Sequence, residues 1–131
     1  MLEEPEAAIK QLSPKTQVLS VTANILNEED VESLFKKATD AFGTIDVVTH
    51  AAGSMFGGPV GDASPELWFK DYEVNVKGTY ILVHYYLKTV TSGTFIVLGT
   101  IGASFTSSGL SAYSGSKLAM QKLVEYLDAG T

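Results

Sequence analysis

The chain has no cysteine and no arginine. Without cysteine there is no disulfide framework, no thiolate nucleophile and no sulfur ligand for a metal. Such a composition suits a reducing compartment, and the cytoplasm is the expectation. Without arginine, all nine basic residues are lysine, set against fifteen acids for a net charge of −6. The bidentate fork that grips phosphate is therefore missing, and no basic patch offers itself to a nucleic-acid backbone. No nucleic-acid partner is expected. No apolar run approaches the length of a membrane span, and no basic stretch with an apolar run opens the chain as a secretory leader would. No membrane partner is expected either. The two histidines, His50 and His84, are far apart in sequence. With no thiol to help them, no metal site is expected.

What is present is an ordinary globular balance. The 131 residues are 45% hydrophobic and 18% charged, enough to build the core of one domain and unlike a disordered chain. Residues 2–12 read as a helix, closed by Ser13-Pro14. Thr16 to Ile25 reads as a strand. Asn27 offers a helix N-cap followed by Glu28, Glu29 and Asp30, acids that suit a helix start. That helix runs to about Phe42, with Val31, Leu34, Phe35, Ala38 and Phe42 as its buried stripe, and Gly43 stops it. Ile45–Thr49 is short and nearly all apolar, as in a parallel strand buried on both faces.

A Gly-, Ser- and Pro-rich loop spans about Ala51 to Ser64. One long helix follows, from Pro65 at its first position to about Thr89, with Ser64 as N-cap. Phe69, Tyr72, Val76, Tyr80, Val83 and Leu87 repeat along it at helical spacing. Thr94–Leu98 is another buried strand. A polar loop leads to a last helix from about Ser111 to Asp128. The order α-β-α-β-α-β-α implies an α/β fold, a doubly wound parallel sheet with helices on both faces.

In such sheets ligands sit at the carboxyl ends of the strands. His50-Ala51-Ala52-Gly53 and Gly99-Thr100-Ile101-Gly102 lie there, as does the turn after Thr16–Ile25. Tyr113 and Lys117 open the helix that follows the last strand. Four residues apart, they share one helix face. An ammonium beside a phenol favours the phenolate, which turns a group titrating near 10 into a usable acid/base. The pair alone is a weak signal. Thr100, thirteen residues earlier at a strand end, could bring its hydroxyl to the same space. The residues without such a pattern have plainer readings: His50 as a strand-end residue, His84 as a packing or surface residue, and Trp68, Phe69 and Tyr72 as core or helix-interface residues.

Together these residues resemble the central segment of a short-chain dehydrogenase/reductase. The family's Tyr-x-x-x-Lys pair falls on Tyr113 and Lys117, its serine on Thr100, and its Asn-Asn-Ala-Gly turn on His50-Ala51-Ala52-Gly53. Its helix asparagine falls on Asn75 in Val74-Asn75-Val76-Lys77-Gly78, and its Asp-Val step on Asn24-Ile25. The resemblance implies an NAD- or NADP-dependent oxidoreductase acting on a small carbonyl or secondary alcohol. In it Tyr113 passes a proton to or from the substrate oxygen, and Lys117 holds the nicotinamide ribose and lowers the Tyr113 pKa. Thr100 bonds the substrate carbonyl and Asn75 supports a water relay behind Lys117. Ala51, Ala52 and Gly53 leave room for the cofactor, and Asn24 and Ile25 lie at the adenine. It also implies a homo-oligomer built through helices 65–89 and 111–128. Three positions differ from the pattern. Thr100 keeps the serine hydroxyl with narrower rotamers, His50 replaces an asparagine, and Asn24 replaces an aspartate but keeps an acceptor.

No Gly-x-x-x-Gly-x-Gly follows a strand, so the family's phosphate loop is not among these residues. The resemblance thus implies an incomplete Rossmann-like fold, residues 1–131 forming a partial NAD(P)-binding domain of three strands and four helices. In the family's strand order Thr16–Ile25 has no neighbour here unless it pairs anew beside Ile45–Thr49, and Thr94–Leu98 has a bare outer edge. The expectation is a marginally stable, truncated chain that binds cofactor weakly. Two readings follow from it: an oxidoreductase represented by its central segment, or a non-catalytic relative serving as a dimerisation or partner-binding module.

Overall fold

A computed structural model describes residues 3–130. The expectations that fall on Leu2 and Thr131 lie outside the described residues. Helix α1 (Glu3–Leu12) is followed by an extended segment, then α2 (Glu28–Phe42), β1 (Val47–His50) and α3 (Pro65–Tyr72). A π-helical turn (Glu73–Gly78) joins α3 to α4 (Thr79–Thr89), and β2 (Thr94–Val97), a 3-10 turn (Ile101–Ala103) and α5 (Ser111–Asp128) complete the order.

The helix signals act as the local chemistry predicts. Asn27 accepts a hydrogen bond from the Asp30 amide and starts α2, and Gly43 ends it at φ 82°. Ser64 accepts from the Leu67 amide, with Pro65 in the first turn of α3. These contacts satisfy amide groups that a helix start leaves unpaired.

β1 and β2 pair in parallel, with Val47 opposite Thr94 and His50 opposite Val97. Bonds from the Thr94 amide to the Asp46 carbonyl (2.8 Å) and from the Leu98 amide to the His50 carbonyl (3.1 Å) extend the pairing at both ends. α2 and α4 cover one face. Val31 and Phe35 pack there with Ile81, Leu82 and Tyr86, and Ile45, Val48, Val90 and Phe95 close the cluster from the sheet side. The apolar area removed from water in this cluster is the main stabilising term of the fold.

Three expectations change. The sheet has two strands among the described residues, not three. Thr16–Ile25 lies extended without a ladder, because β1 pairs with β2 and its outer edge takes no other strand. The strands are covered on one face rather than two: Val47, Ile96 and Leu98, on the other, are 55%, 42% and 50% exposed. Phe42, expected in the buried stripe of α2, is also exposed.

Residues 65–89 are not one uniform helix. In the π turn the backbone bonds i to i+5, which shifts the phase of every later side chain. Phe69, Tyr80 and Leu87 of the expected stripe stay exposed while Val83 is buried. The positions that turn fully inward are polar: Asp71, Asn75 and Thr79.

Candidate active site

The site forms where the loops after β1 and β2 meet α3, the π turn and α5. Asn75 is its hub and is fully buried. Its Oδ1 accepts the Ser54 amide at 2.8 Å, and its Nδ2 donates to the Ser54 carbonyl at 3.0 Å and to Ser116 Oγ at 2.9 Å. Ser116 in turn donates to the Tyr113 carbonyl at 2.8 Å. One side chain thus ties the loop after β1 to the first turn of α5, and a buried amide with partners at both ends carries little desolvation cost.

Asp71, one helical turn earlier, grips the same loop. Its Oδ1 accepts from Ser54 Oγ at 2.9 Å and from the Phe56 amide at 3.0 Å, while its Oδ2 is buried without a partner.

Lys117 is only 6% exposed. Its Nζ donates to the Leu98 carbonyl at the end of β2, at 3.2 Å. Burial pulls its pKa below the ordinary lysine value, because an ammonium loses hydration in a low-dielectric site. Gly53 makes room for it. A methyl group at position 53 would stand 3.0 Å from Asn75 Oδ1 and 3.2 Å from Lys117 Nζ, so a side chain there would displace one or the other.

The remaining predicted residues fall as follows. Tyr113 is half-buried on the first turn of α5, one turn ahead of Lys117; among the described residues its phenol makes no hydrogen bond to Lys117 Nζ. Thr100 is half-buried two residues beyond Leu98, and its Oγ1 accepts the Gly102 amide at 3.1 Å, capping the 3-10 turn. Ala51 and Ala52 are exposed on the loop after β1. Asn24 is exposed and makes a local turn, its Oδ1 accepting the Leu26 amide at 3.0 Å and its amide donating to Asp30 at 2.8 Å. Ile25 is half-buried and packs against Gly78 of the π turn.

Lys117, Asn75 and Gly53 are therefore in mutual reach, with Tyr113 and Thr100 on the adjoining turns. A cleft of about 500 Å³ lies nearby, lined by Pro59, Val60, Gly102, Phe105, Ser114 and Leu118. It takes in neither Lys117 nor Thr100, so the site is defined by its polar contacts rather than by that hollow.

Sequence reasoning missed Ser54, Asp71 and Thr79. The signal for two of them was present, since Asp71, Asn75 and Thr79 repeat every four residues and so share one helix face. Nothing in the sequence singled out Ser54, whose partners lie seventeen and twenty-one residues away.

The fold is that of Rossmann-like α/β proteins. Levodione reductase superposes with a TM-score of 0.87 at 26% identity, over 95% of this chain and 52% of that one. The alcohol dehydrogenase of Thermococcus sibiricus, complexed with 5-hydroxy-NADP, does so at 0.87 and 24% identity, over 98% of this chain and 55% of that one. A short-chain dehydrogenase/reductase of Burkholderia phymatum, in complex with NAD, gives 0.83 and 22%, over 96% and 47%.

A family described as enoyl-(acyl carrier protein) reductase matches residues 2–129. The short chain dehydrogenase mpl6 of Monascus purpureus is 33% identical over 125 residues, covering 92% of this chain and 43% of that protein. An uncharacterized oxidoreductase of Staphylococcus aureus is 30% identical over 129 residues, covering 96% and 55%. The chain belongs to the short-chain dehydrogenase/reductase family of oxidoreductases. It spans about half the length of the curated relatives it matches.

Proposed function

We propose that these residues are the catalytic segment of an NAD(P)-dependent oxidoreductase that interconverts a small carbonyl compound and a secondary alcohol. The observation that carries this reading is the convergence of a buried ammonium, a fully bonded asparagine and a bare glycine backbone at the carboxyl ends of a parallel sheet. The fit to a nicotinamide cofactor rests on the same cradle. Gly53 leaves backbone surface open beside Lys117 Nζ, a donor suited to ribose hydroxyls. Lys117, Tyr113 and the Ala51–Gly53 backbone would hold that end of the cofactor, and Asn24 and Ile25 the adenine end. NAD and NADP are equal candidates.

When bound, the cofactor supplies or accepts the hydride. The chain's own residues do the rest. Tyr113 gives the proton to the carbonyl oxygen in reduction and takes it back in oxidation, at its phenolic oxygen. Thr100 orients that oxygen from its Oγ1. Lys117, anchored to the Leu98 carbonyl, keeps positive charge beside the proton donor, where a low dielectric makes it effective. Asn75 acts through others: it fixes Ser54 and the Tyr113 turn, and a water relay behind Lys117 belongs to this proposal. The cysteine-free composition suits the cytoplasm, and no described helix is long and apolar enough to cross a membrane.

A second reading has its own observation. Phe69, Tyr72, Val76, Tyr80 and Leu123, with Glu73 and Lys77 among them, line an open groove of about 700 Å³ along α3, the π turn, α4 and α5, with Phe69 and Tyr80 more than half exposed. An apolar stripe of this kind suits a second copy of the chain, and a non-catalytic dimerising module would use it equally.

One preparation tests both. Oxidation of NADH and NADPH is followed by absorbance with a panel of ketones and aldehydes, for the chain and for Tyr113→Phe, and sedimentation gives the assembly state. The enzyme reading expects turnover that Tyr113→Phe abolishes while cofactor affinity survives. Equal turnover in Tyr113→Phe overturns the assignment of Tyr113, and a folded dimer with no turnover on any substrate supports the module.

A further inference from the structure

His50 ends β1 and is 4% exposed. Its Nε2 lies 2.9 Å from Thr79 Oγ1, and the Thr79 hydroxyl donates to the Asn75 carbonyl at 2.6 Å. A hydroxyl has one proton. Since Thr79 gives its proton to a carbonyl, which only accepts, the hydrogen between His50 and Thr79 must sit on His50 Nε2. The chain of donors therefore runs one way, from the imidazole to the hydroxyl to the Asn75 backbone.

The π turn explains why this matters. The Thr79 amide donates to the Val76 carbonyl, so the Thr79 side chain serves the Asn75 carbonyl in its place, a back-bond that threonine can make within a helix. The same residue, Asn75, holds Ser54 with its side chain.

We propose that His50 is a positioning residue for the site: through Thr79 it holds the Asn75 turn in register, and so fixes the Ser54 loop on which Gly53 and Lys117 meet. The inference rests on the reading of Asn75 and Lys117 as site residues, but not on the chain being active. The charged group facing His50 is Lys117, from α5; Thr79 and Asn75, from the helix side, do not titrate. The imidazole is held neutral first by burial and then by the Lys117 charge, both of which lower its pKa. A neutral imidazole with hydrogen on Nε2 is what the relay requires.

The test needs no substrate. Ring-nitrogen NMR of the folded chain should report the Nε2–H tautomer at neutral pH. Amide hydrogen exchange then reads the position of Ser54, with the α2 amides of Val31 and Phe35 as internal controls. In His50→Leu and in Thr79→Val, the Ser54 amide should exchange about tenfold faster relative to those controls, as expected for one lost buried hydrogen bond. His50→Gln and Thr79→Ser, which keep the donors, should return it to near the wild-type rate. An Nδ1–H tautomer, or an unchanged Ser54 amide in both Thr79→Val and His50→Leu, overturns the proposal. So does equal acceleration at Ser54 and in α2, which marks general loosening. If His50→Leu does not fold, the Thr79 pair decides alone. Absence of turnover in the enzyme assay would leave these results untouched.

Discussion

Two buried regions lie a turn or two apart on the same helical rod and are built on opposite principles. The α2–α4 cluster of Val31, Phe35, Ile81, Leu82 and Tyr86 is wholly apolar save one phenol. The junction at the π turn buries Asp71, Asn75, Thr79, Ser116, Lys117 and His50, all polar or charged. The first is held by area and volume, which are non-directional. The second is held by directional hydrogen bonds between named donors and acceptors, where a wrong partner is costly. The difference teaches where evolution has room. A cluster of the first kind tolerates any residues of suitable size, whereas the junction constrains identity at each position, as a site that must place groups accurately requires.

The largest effect should come from breaking the apolar side. Phe35 is 4% exposed and central to the cluster. Replacing Phe35 with Ala removes its transfer free energy and leaves a cavity, a loss of about 3–5 kcal/mol. A domain's whole stability is about 5–15 kcal/mol, and this one leaves a sheet face open, so the variant should lose its cooperative urea transition. A Phe35→Ala chain that still unfolds cooperatively near the wild-type midpoint would mean that the cluster is not what holds the fold.

A smaller effect is expected where the two regions meet. A methyl group on Gly78 would stand 2.7 Å from Ile25 Cδ1 and 3.0 Å from Cγ1, and Gly78 has ordinary helical angles of φ −60° and ψ −42°. Alanine there gains about 1 kcal/mol of helix propensity and loses about 1–3 kcal/mol to overpacking. The clash should win by about 1 kcal/mol, seen as a lower urea midpoint at constant slope. Ile25→Ala combined with Gly78→Ala should lose less than the two changes added, because the first removes what the second strikes. Simple additivity would place Ile25 elsewhere than against the π turn.

The same contrast explains what was legible in the sequence. Apolar periodicity found the inner residues Val31 and Phe35 of α2, and capping residues set both ends of α2 and the start of α3. It ran residues 65–89 together as one uniform helix, because a π turn changes the period partway along and no residue type announces one. It assigned a strand to Thr16–Ile25, because β-branched residues say that a segment can extend, not that a partner lies beside it. Lys117, Asn75 and Gly53 were found by resemblance to a family. The groups that position them, Ser54, Asp71 and Thr79, are linked through space, and no spacing rule connects Ser54 with Asp71.

The smallest effect is a pH dependence of stability, and it comes from the polar side alone. Burial first, and the Lys117 charge second, lower the His50 pKa below its ordinary value of 6.5. Between the folded and unfolded values the unfolded chain binds more protons, so stability falls as pH drops from 6.5 through the folded value. Lys117 has the same sign at the other end: burial lowers its pKa below 10.5, and stability rises with pH across the window that ends there. Thermal melts from pH 7.5 to 5.5 should therefore show a falling midpoint. In His50→Gln the slope over this window should flatten, since Gln carries no titrating group. A slope unchanged by His50→Gln would move the acid sensitivity away from β1 and the π turn, and with it the claim that burying a neutral imidazole beside Lys117 carries a cost.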